Sequence, residues 1–475
     1  MATACGKQTD DSPIVVSAIG NAASRADPDD GPLKFPEAVT MDATAQGLVR
    51  FDANGQVEPG LAERWIVIDD GTSYIFRLDD ATWPDGTPVD ARQVARILAR
   101  AIAPGSDNAL APFLKSINQV VAMTPQVVEV QLSRPRPDLL RLLAQPEMAV
   151  FRGARLTGTG PFRMSERDGP VALHRVDETR SDDDDGDDDA PAADAAIRLR
   201  GERASLALIR YRDGLSDLVL GGTFVDWPTA VQSGVAQSDL QVDPAVGLFG
   251  LRIVSRTGFF ASASNRAALA MAIDRKSVLG RIRDGWDAAE TILPEQLDSA
   301  QPPTSPDWAA LDPDRRIDTA RSRVAAWKAS HEGNMAPVRI ALPDGPGANL
   351  LWTGIGPALN AIGLPVLRVP IDANADLVLV DAVAPLDSAS WYLRTACRDC
   401  DDALTPLLDA ARTAPDSFAR AQRLSEADAA ITAAAVFIPL ARPLRWSLVG
   451  KRIDAFQRNP RAWHPLNHLV TDNGS

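Results

Sequence analysis

The second half of the chain alternates strand-like and helical patterns, and this alternation constrains the fold more than any other feature. Residues 338–342 and 375–380 are short apolar runs of the kind that form buried strands. Between them, residues 350–362 carry apolar side chains at helical spacing and stop at Gly363, a residue type common at helix ends. A strand, a helix and a second strand in this order predict an α/β architecture.

The first half contains a predicted β-hairpin followed by a helix. Residues 65–68 and 74–78 are β-rich runs joined by the turn sequence Asp69-Asp70-Gly71-Thr72. Asp90 and Gln93 form a capping-box pattern directly before apolar side chains at helical spacing, which predicts a helix there. The length of 475 residues corresponds to about three folding units at ~150 residues each.

The charge of the chain, −14 at neutral pH, excludes some classes of partner. An acidic chain without a long Lys/Arg cluster lacks the electrostatic footprint of a nucleic-acid-binding protein, so we expect no nucleic-acid partner. Half of this charge lies in the Asp-rich run at residues 182–189, which we interpret as a surface loop. Calcium binding is the alternative for this run, although the glutamate of calcium loops is missing after Gly186. No apolar stretch approaches the ~18 residues of a membrane-spanning helix.

The three cysteines suggest a compartment outside the cytoplasm. Cys5 follows Ala2-Thr3-Ala4 and precedes a polar stretch, which resembles the end of a bacterial lipoprotein signal whose cysteine becomes lipidated. An incidental cysteine in a frayed terminus is the alternative. In an oxidising compartment, Cys397 and Cys400 are a candidate local disulfide. A zinc site that adds the two C-terminal histidines is the alternative, but their spacing does not suit compact zinc modules.

Motifs of common enzymes are missing from the sequence. The nucleophile elbow Gly-x-Ser-x-Gly, the phosphate loop Gly-x4-Gly-Lys-Ser/Thr and the zinc motif His-Glu-x-x-His do not occur. Only four histidines are available as catalytic bases. We therefore predict a binding protein rather than an enzyme, with no catalytic residues, no cofactor and no metal. An extracellular hydrolase is the weakest alternative.

A series of motifs in a fixed order covers nearly the whole chain from about Val15. The matching segments are Gly47-Leu48-Val49, Glu58 to Trp65, Asp69-Asp70-Gly71, Tyr74 to Leu78, Trp83 to Val89, Pro135 to Pro146, Gly158 to Phe162, Gly214 to Leu220, Asn265 to Arg275 and Phe437 to Leu440. In order and spacing they resemble the bacterial extracellular solute-binding proteins of family 5. These are receptors of ABC importers for peptides, nickel chelates and related solutes.

The resemblance implies a periplasmic binding protein-like fold, in which two α/β lobes are joined by crossover strands and an extra domain is inserted in the first lobe. Residues 1–12 would form a lipoprotein-like leader and tether. The other expected limits are residues 13–46, 155–247 and 442–475 for lobe I, 47–154 for the inserted domain II, and 248–441 for lobe II (domain III). Hinge closure of the lobes would then enclose the ligand.

The resemblance also indicates where a ligand would bind, and where this chain departs from its relatives. In peptide-binding relatives an aspartate of the second lobe pairs with the amino terminus of the peptide, and here Pro385 occupies that position. Asp381 or Asp387 could replace this anchor, although each is equally plausible as a helix cap or strand-end residue. Trp391 and the pair Asp226-Trp227 are candidates for the cleft wall, with a role in the core as the alternative for the tryptophans.

We therefore expect a monomeric receptor that binds a peptide or peptide-like small solute in a cleft between the lobes. Its other partners would be the permease subunits of an ABC transporter. It would lie in the periplasm or on the outer face of the cytoplasmic membrane, with contact to the membrane only through a lipid at Cys5. The alternative is a degenerate family member that acts as a sensor or interaction protein and transports nothing.

Overall fold

Three large β-sheets organise the chain. The computed structural model describes residues 12–165, 169–176, 196–331, 335–398, 400 and 403–469. Cys5 and the Asp-rich run 182–189 lie outside the described residues, so their predicted roles stay predictions. The sheets have seven, five and four strands, and two short strand pairs accompany them.

The seven-stranded sheet collects strands from three separate stretches of the chain, and we call the unit around it lobe I. Its central strand, Ile14–Ile19, pairs in parallel with strands on both sides. The strands in spatial order are Phe162–Ser165, Val171–Arg175, Ile197–Glu202, Ile14–Ile19, Leu218–Thr223, Arg445–Val449 and Leu240–Val242. The α-helices of this unit are Phe35–Thr44, Ala204–Arg212 and Trp227–Gln232.

The four-stranded antiparallel sheet belongs to the inserted domain, between the first helix of lobe I and its strand Phe162–Ser165. Its strands in spatial order are Ala62–Ile68, Ser73–Leu78, Val127–Leu132 and Ile117–Thr124. Its α-helices are Ala91–Ala101, Ala111–Leu114 and Leu139–Leu143, and the short strand pairs are Val49–Phe51 with Val57–Pro59 and Phe151–Arg152 with Thr157–Gly158. The predicted hairpin is confirmed, as is the capping box of Asp90 and Gln93.

The five-stranded mixed sheet forms the centre of lobe II. Its strands in spatial order are Val366–Pro370, Val338–Leu342, Leu377–Val383, Gly247–Ile253 and Phe437–Ala441. Its α-helices are Ala263–Ala272, Arg275–Gly280, Pro313–Ser330, Pro346–Ala361, Ala389–Ala396, Thr405–Arg412 and Ser417–Ala433. Short 3-10 helices also occur along the chain, at Pro28–Asp30, Asp69–Gly71, Pro146–Met148, Gly258–Ala261, Asp307–Ala310 and Leu466–His468. None of the helices in the described ranges is both long and apolar enough to cross a membrane.

Two helices of lobe II begin earlier than their sequence signals suggest. Asn265 is a residue type that favours the N-cap position, but the helix already begins at Ala263 and Ser262 occupies the N-cap. The helix predicted from residue 350 begins at Pro346, because proline is tolerated in the first turn, where no amide partner is needed. Both differences are confined to one turn and leave the strand, helix and strand order unchanged.

The glycines of the Gly158-Thr159-Gly160 segment serve close packing rather than a tight turn. Neither glycine has a positive φ. A Cβ atom at Gly158 would lie 2.3 Å from the Cβ of Ala45, and one at Gly160 would lie 2.5 Å from the carbonyl carbon of Thr44. The segment therefore runs directly against the end of the helix Phe35–Thr44, and only glycine permits that approach.

An aromatic cluster joins the two lobes next to the crossover strands. Phe224 follows a strand of lobe I, whereas Phe249 and Trp286 belong to lobe II. The Phe249 ring centroid lies 4.9 Å from that of Phe224 and 4.8 Å from that of Trp286. Such distances are typical of attractive aromatic pairs, so the lobes are held against each other by apolar contact in this conformation.

Candidate functional site

A cavity of about 600 Å³ lies where lobe I, the inserted domain and lobe II meet, and we call it the interlobe cavity. Its volume is within the range of ~300–1,000 Å³ that is typical of small-molecule sites. Five charged residues contribute to its lining, namely Glu147, Asp243, Asp381, Arg445 and Arg461. Whether these five side chains are already paired with one another or with other residues decides which charge is available to a ligand.

Asp381 is already paired with an arginine across the two lobes. It lies in the lobe II strand Leu377–Val383, and its Oδ1 atom is 2.8 Å from Nη1 of Arg445 in lobe I. Nη2 of Arg445 also donates to the backbone oxygen of Asp381 at 3.2 Å. Burial raises the pKa of Asp381, and the charge and hydrogen bond of Arg445 oppose that rise.

Asp387 is paired with two arginines and joins three parts of the chain. Arg461, from the C-terminal segment, approaches its Oδ1 atom at 2.5 Å. Arg141, from the inserted domain, approaches its Oδ2 atom at 3.0 Å. Both carboxylates that were candidates for the amine anchor are therefore paired with arginines of the protein, and their role as anchors stays a prediction.

Asp243 is held by groups of the C-terminal segment. Its Oδ2 atom is 3.2 Å from Nε2 of His464, and its Oδ1 atom accepts a hydrogen bond of 3.0 Å from the backbone amide of Asn459. Both side chains of the His464 pair are buried. This carboxylate therefore orders the C-terminal segment along the cavity.

Glu147 differs from the other two carboxylates of the lining. It lies in the 3-10 helix Pro146–Met148 of the inserted domain, where Nδ2 of the buried Asn108 donates to its backbone oxygen at 2.9 Å. Its carboxylate forms no ion pair with any residue of the described ranges. Burial raises its pKa, opposed only by a hydrogen bond from its own backbone amide. Glu147 is thus the lining carboxylate without a cationic partner.

Glu147 was not singled out from the sequence. The available signal was indirect, because a proline at the family's anchor position suggests that another carboxylate has taken over the role. Only the fold shows that the inserted domain approaches that position, where Nε2 of Gln145 donates to the backbone oxygen of Pro385 at 3.0 Å.

Aromatic side chains form much of the remaining wall. Trp391 lines the cavity, as hypothesised, and its ring packs edge-to-face on Tyr392 with centroids 5.0 Å apart. Trp446 lies over Gly222, where a Cβ atom would come within 2.2 Å of the indole ring. The other aromatic lining residues are Phe35, Phe51, Phe113 and Trp463.

The pair Asp226-Trp227 is not among the residues that line the interlobe cavity, so its role in a cleft wall stays a prediction. Trp227 is buried and lines a second pocket of about 520 Å³, with Arg281 and Leu350 of lobe II opposite. The guanidinium of Arg283 stands 5.5 Å from the centre of its ring. Asp226 precedes the helix Trp227–Gln232, and burial raises its pKa.

Cys397 and Cys400 form a disulfide directly after the helix Ala389–Ala396, which carries Trp391. Their thiolates are therefore not available to the zinc site that was the alternative. Among the described residues, no group of three or more potential ligands could hold a metal ion.

Removing this disulfide should cause a moderate loss of stability. Because the bridge closes a loop of only four residues, the chain-entropy relation gives about 2 kcal/mol for its contribution to the free energy of unfolding. We expect the double variant Cys397→Ala/Cys400→Ala to lose that amount in urea unfolding. A reductant should lower the free energy of unfolding of the wild type by the same amount and leave that of the variant unchanged. If the reductant lowers the stability of both proteins equally, the prediction is contradicted.

The family model described as "Bacterial extracellular solute-binding proteins, family 5 Middle" matches residues 56–364 of the chain. The chain belongs to this family. The match confirms the resemblance that the sequence motifs carry.

Among curated proteins, this family 5 chain is 30% identical over 162 residues to the glutathione-binding protein GsiB of Escherichia coli K12. That match covers 32% of this chain and 31% of GsiB. It is 31% identical over 138 residues to the probable deoxycholate-binding periplasmic protein YgiS of the same strain, covering 24% of this chain and 26% of YgiS. The matched segments thus span about a third or less of these curated relatives.

Solved structures match over nearly the whole chain. Haemophilus influenzae OppA in complex with the peptide RPPGFSPFR has a TM-score of 0.79 at 15% identity, covering 96% of this chain and 99% of OppA. The Escherichia coli murein tripeptide-binding protein MppA has a TM-score of 0.78 at 18% identity, covering 96% and 97%. These likenesses confirm the predicted α/β fold of the periplasmic binding protein type.

Proposed function

We propose that this family 5 protein is the solute receptor of an ABC importer and that it encloses a short peptide or peptide-like solute in the interlobe cavity. The observation that carries the proposal is the cavity itself, since three units of the fold surround it and Glu147 in its lining has no cationic partner among the described residues. Family membership supports the transport role, and the fold supports enclosure by hinge closure.

The charge of the lining favours a solute with a positive group. Three acidic and two basic residues contribute to the lining, and Arg445 and Arg461 are already engaged with Asp381 and Asp387. A protonated amine could therefore pair with Glu147 without displacing a contact of the protein. Such a charge-assisted hydrogen bond is stronger than a hydrogen bond between neutral groups. The amino terminus of a peptide is a group of this kind.

The volume and wall of the cavity favour a short solute. At about 600 Å³, the space suits a molecule of a few residues, and its aromatic wall offers apolar contact to side chains. The names of two similar proteins refer to solutes of this size. GsiB is named for glutathione, and MppA is named for the murein tripeptide. These names describe those proteins, and they motivate the peptides used below.

The alternative of a degenerate sensor has less support. A receptor that has lost its ligand would be expected to fill its cleft with side chains, whereas here a cavity with a partnerless carboxylate persists.

The remaining parts of the proposal concern location and partners. We place the protein in the periplasm or on the outer face of the cytoplasmic membrane, as a monomer that delivers its solute to the permease subunits of the transporter. A lipid at Cys5 would be its attachment to the membrane. Labelling with a radioactive fatty acid tests this attachment, and Cys5→Ala should abolish the label.

Thermal stabilisation by short peptides tests the proposed binding function. At 100 times the dissociation constant, a bound peptide adds ~2.7 kcal/mol to the free energy of unfolding. A panel of di-, tri- and tetrapeptides with free amino termini should contain members that raise the melting temperature, and N-acetylated versions of these members should not. No stabilisation by any peptide, at concentrations up to the millimolar range, would contradict the proposal.

A further inference from the structure

A group of cationic side chains meets at the seam between the inserted domain and lobe II, on the far side of Phe113 from the interlobe cavity. The inserted domain contributes Lys115, Arg134 and Arg136, and lobe II contributes Arg394, Arg412 and Arg420. Together they line a small pocket of about 40 Å³, which we call the arginine pocket. In a chain with a net charge of −14, such a concentration of positive charge on two facing units is unexpected.

The carboxylates near the pocket neutralise only half of these cations. Oδ1 of Asp138 lies 3.2 Å from Nε of Arg136. Asp409 is shared, at 3.3 Å from Nη2 of Arg394 and 3.2 Å from Nε of Arg412. Oδ2 of Asp298 lies 2.6 Å from Nη1 of Arg420. Six cations thus face three carboxylates.

Arg134 is the cation of the pocket that is least compensated by carboxylates. It is half-buried, and its guanidinium forms no hydrogen bond or ion pair with any residue in the described part of the chain. Burial and the positive charges of four neighbouring arginines, Arg412 first among them, lower its pKa. The positive charges at such a site repel one another, and a bound anion would offset this repulsion.

We propose that the arginine pocket is a binding site for a free, doubly charged oxyanion of the size of inorganic phosphate. At about 40 Å³ the pocket is larger than the ~10–15 Å³ that a single water molecule occupies, so it has room for a small ion. Planar guanidinium groups bind phosphate oxygens through paired hydrogen bonds, which compact ammonium groups do not provide. Because its ligands come from two units, the ion would draw the inserted domain and lobe II together.

Phosphate titration of the full chain by calorimetry, in a phosphate-free buffer of low ionic strength, tests the site without any peptide. We expect one phosphate per chain for the wild type, and an affinity at least ~10-fold lower for Arg134→Gln, because a hydrogen bond to a charged group is lost. Arg92→Gln is the matched control, since it removes one exposed arginine of the inserted domain that is not part of the pocket.

Thermal melting of the same three proteins separates an anion site from a merely structural arginine. Without phosphate, Arg134→Gln should melt at the wild-type temperature or above it, since a repelled cation is removed. Phosphate should raise the melting temperature of the wild type more than that of Arg134→Gln, so that the wild type then melts at the higher temperature. An equal concentration of chloride should not reproduce this rise. Equal gains for wild type, Arg134→Gln and Arg92→Gln, or no binding in the calorimeter, would overturn the proposal. Either result leaves peptide binding in the interlobe cavity untouched.

Discussion

We expect Glu147→Gln to weaken the binding of a peptide with a free amino terminus by ~30-fold or more. The glutamine is close in size but carries no charge, so the protonated amine would lose a hydrogen bond to a charged partner, which is worth about 2 kcal/mol. Isothermal titration with a peptide found in the thermal screen measures the change directly. N-acetylated peptide should bind both proteins weakly and to the same extent.

Two further variants make this prediction specific to the charge of Glu147. Glu147→Asp retains the carboxylate and should recover part of the affinity, while Glu426→Gln removes a carboxylate on the surface of lobe II and should have no effect. If Glu147→Gln binds the peptide as tightly as the Glu426→Gln control, the amine is held elsewhere.

The stability of the empty protein should respond to Glu147→Gln in the opposite direction. Burial raises the pKa of Glu147 in the folded state above its unfolded value. The folded protein then binds more protons at intermediate pH, so the contribution of this group to stability is largest at low pH and falls as pH rises through the raised pKa. At neutral pH the empty variant should therefore be at least as stable as the wild type, and its stability should fall less as the pH is raised from acidic values. A merely structural glutamate would show a loss instead.

We expect Arg445→Met to lower the free energy of unfolding by about 3–5 kcal/mol, because it leaves Asp381 buried without its cation. The double variant Asp381→Asn/Arg445→Met should recover much of that loss, since no uncompensated charge remains. Urea unfolding of the wild type, both single variants and the double variant gives the coupling energy of the pair.

The pH dependence of Arg445→Met provides an independent check. Burial raises the pKa of Asp381, and removal of Arg445 should raise it further. A carboxyl group with a raised pKa favours folding while it is protonated, so the variant should regain stability as the pH is lowered. The exposed pair of Arg423 and Glu426 is the matched control, and Arg423→Met should cost no more than ~1 kcal/mol. A loss of this small size for Arg445→Met as well would contradict the account of a buried interlobe pair.

Local patterns were sufficient to predict most of the elements. The hairpin around Asp69-Asp70-Gly71, the capping box at Asp90 and the α/β order between residues 338 and 380 all depend on neighbouring residues, and the structure has each of them. The helix start at Ala263 was missed because a favourable capping residue inside a helix, here Asn265, looks the same as one at its beginning. The start at Pro346 was missed because the apolar spacing that marks the helix begins only at Leu350.

The state of the site could not be predicted in the same way. Asp381 and Asp387 are separated from their partners Arg445 and Arg461 by more than sixty residues, so nothing local reveals that both carboxylates are already paired. Glu147 was missed for the same reason, since its importance depends on the lack of a cationic partner within the described part of the chain rather than on a motif. Ion pairing between distant segments is decided by the fold, and the sequence shows only which residue types are available for it.

Native mass spectrometry of the protein purified without denaturation tests the central claim most directly. The account predicts a complex whose mass exceeds that of the chain by one small amine-bearing solute, which is released on unfolding and is lost or much reduced in Glu147→Gln. The release should allow the solute to be identified and returned to the empty protein. If the wild type carries no such solute, and the empty chain takes up none from peptide mixtures, the interlobe cavity is not a peptide-binding site.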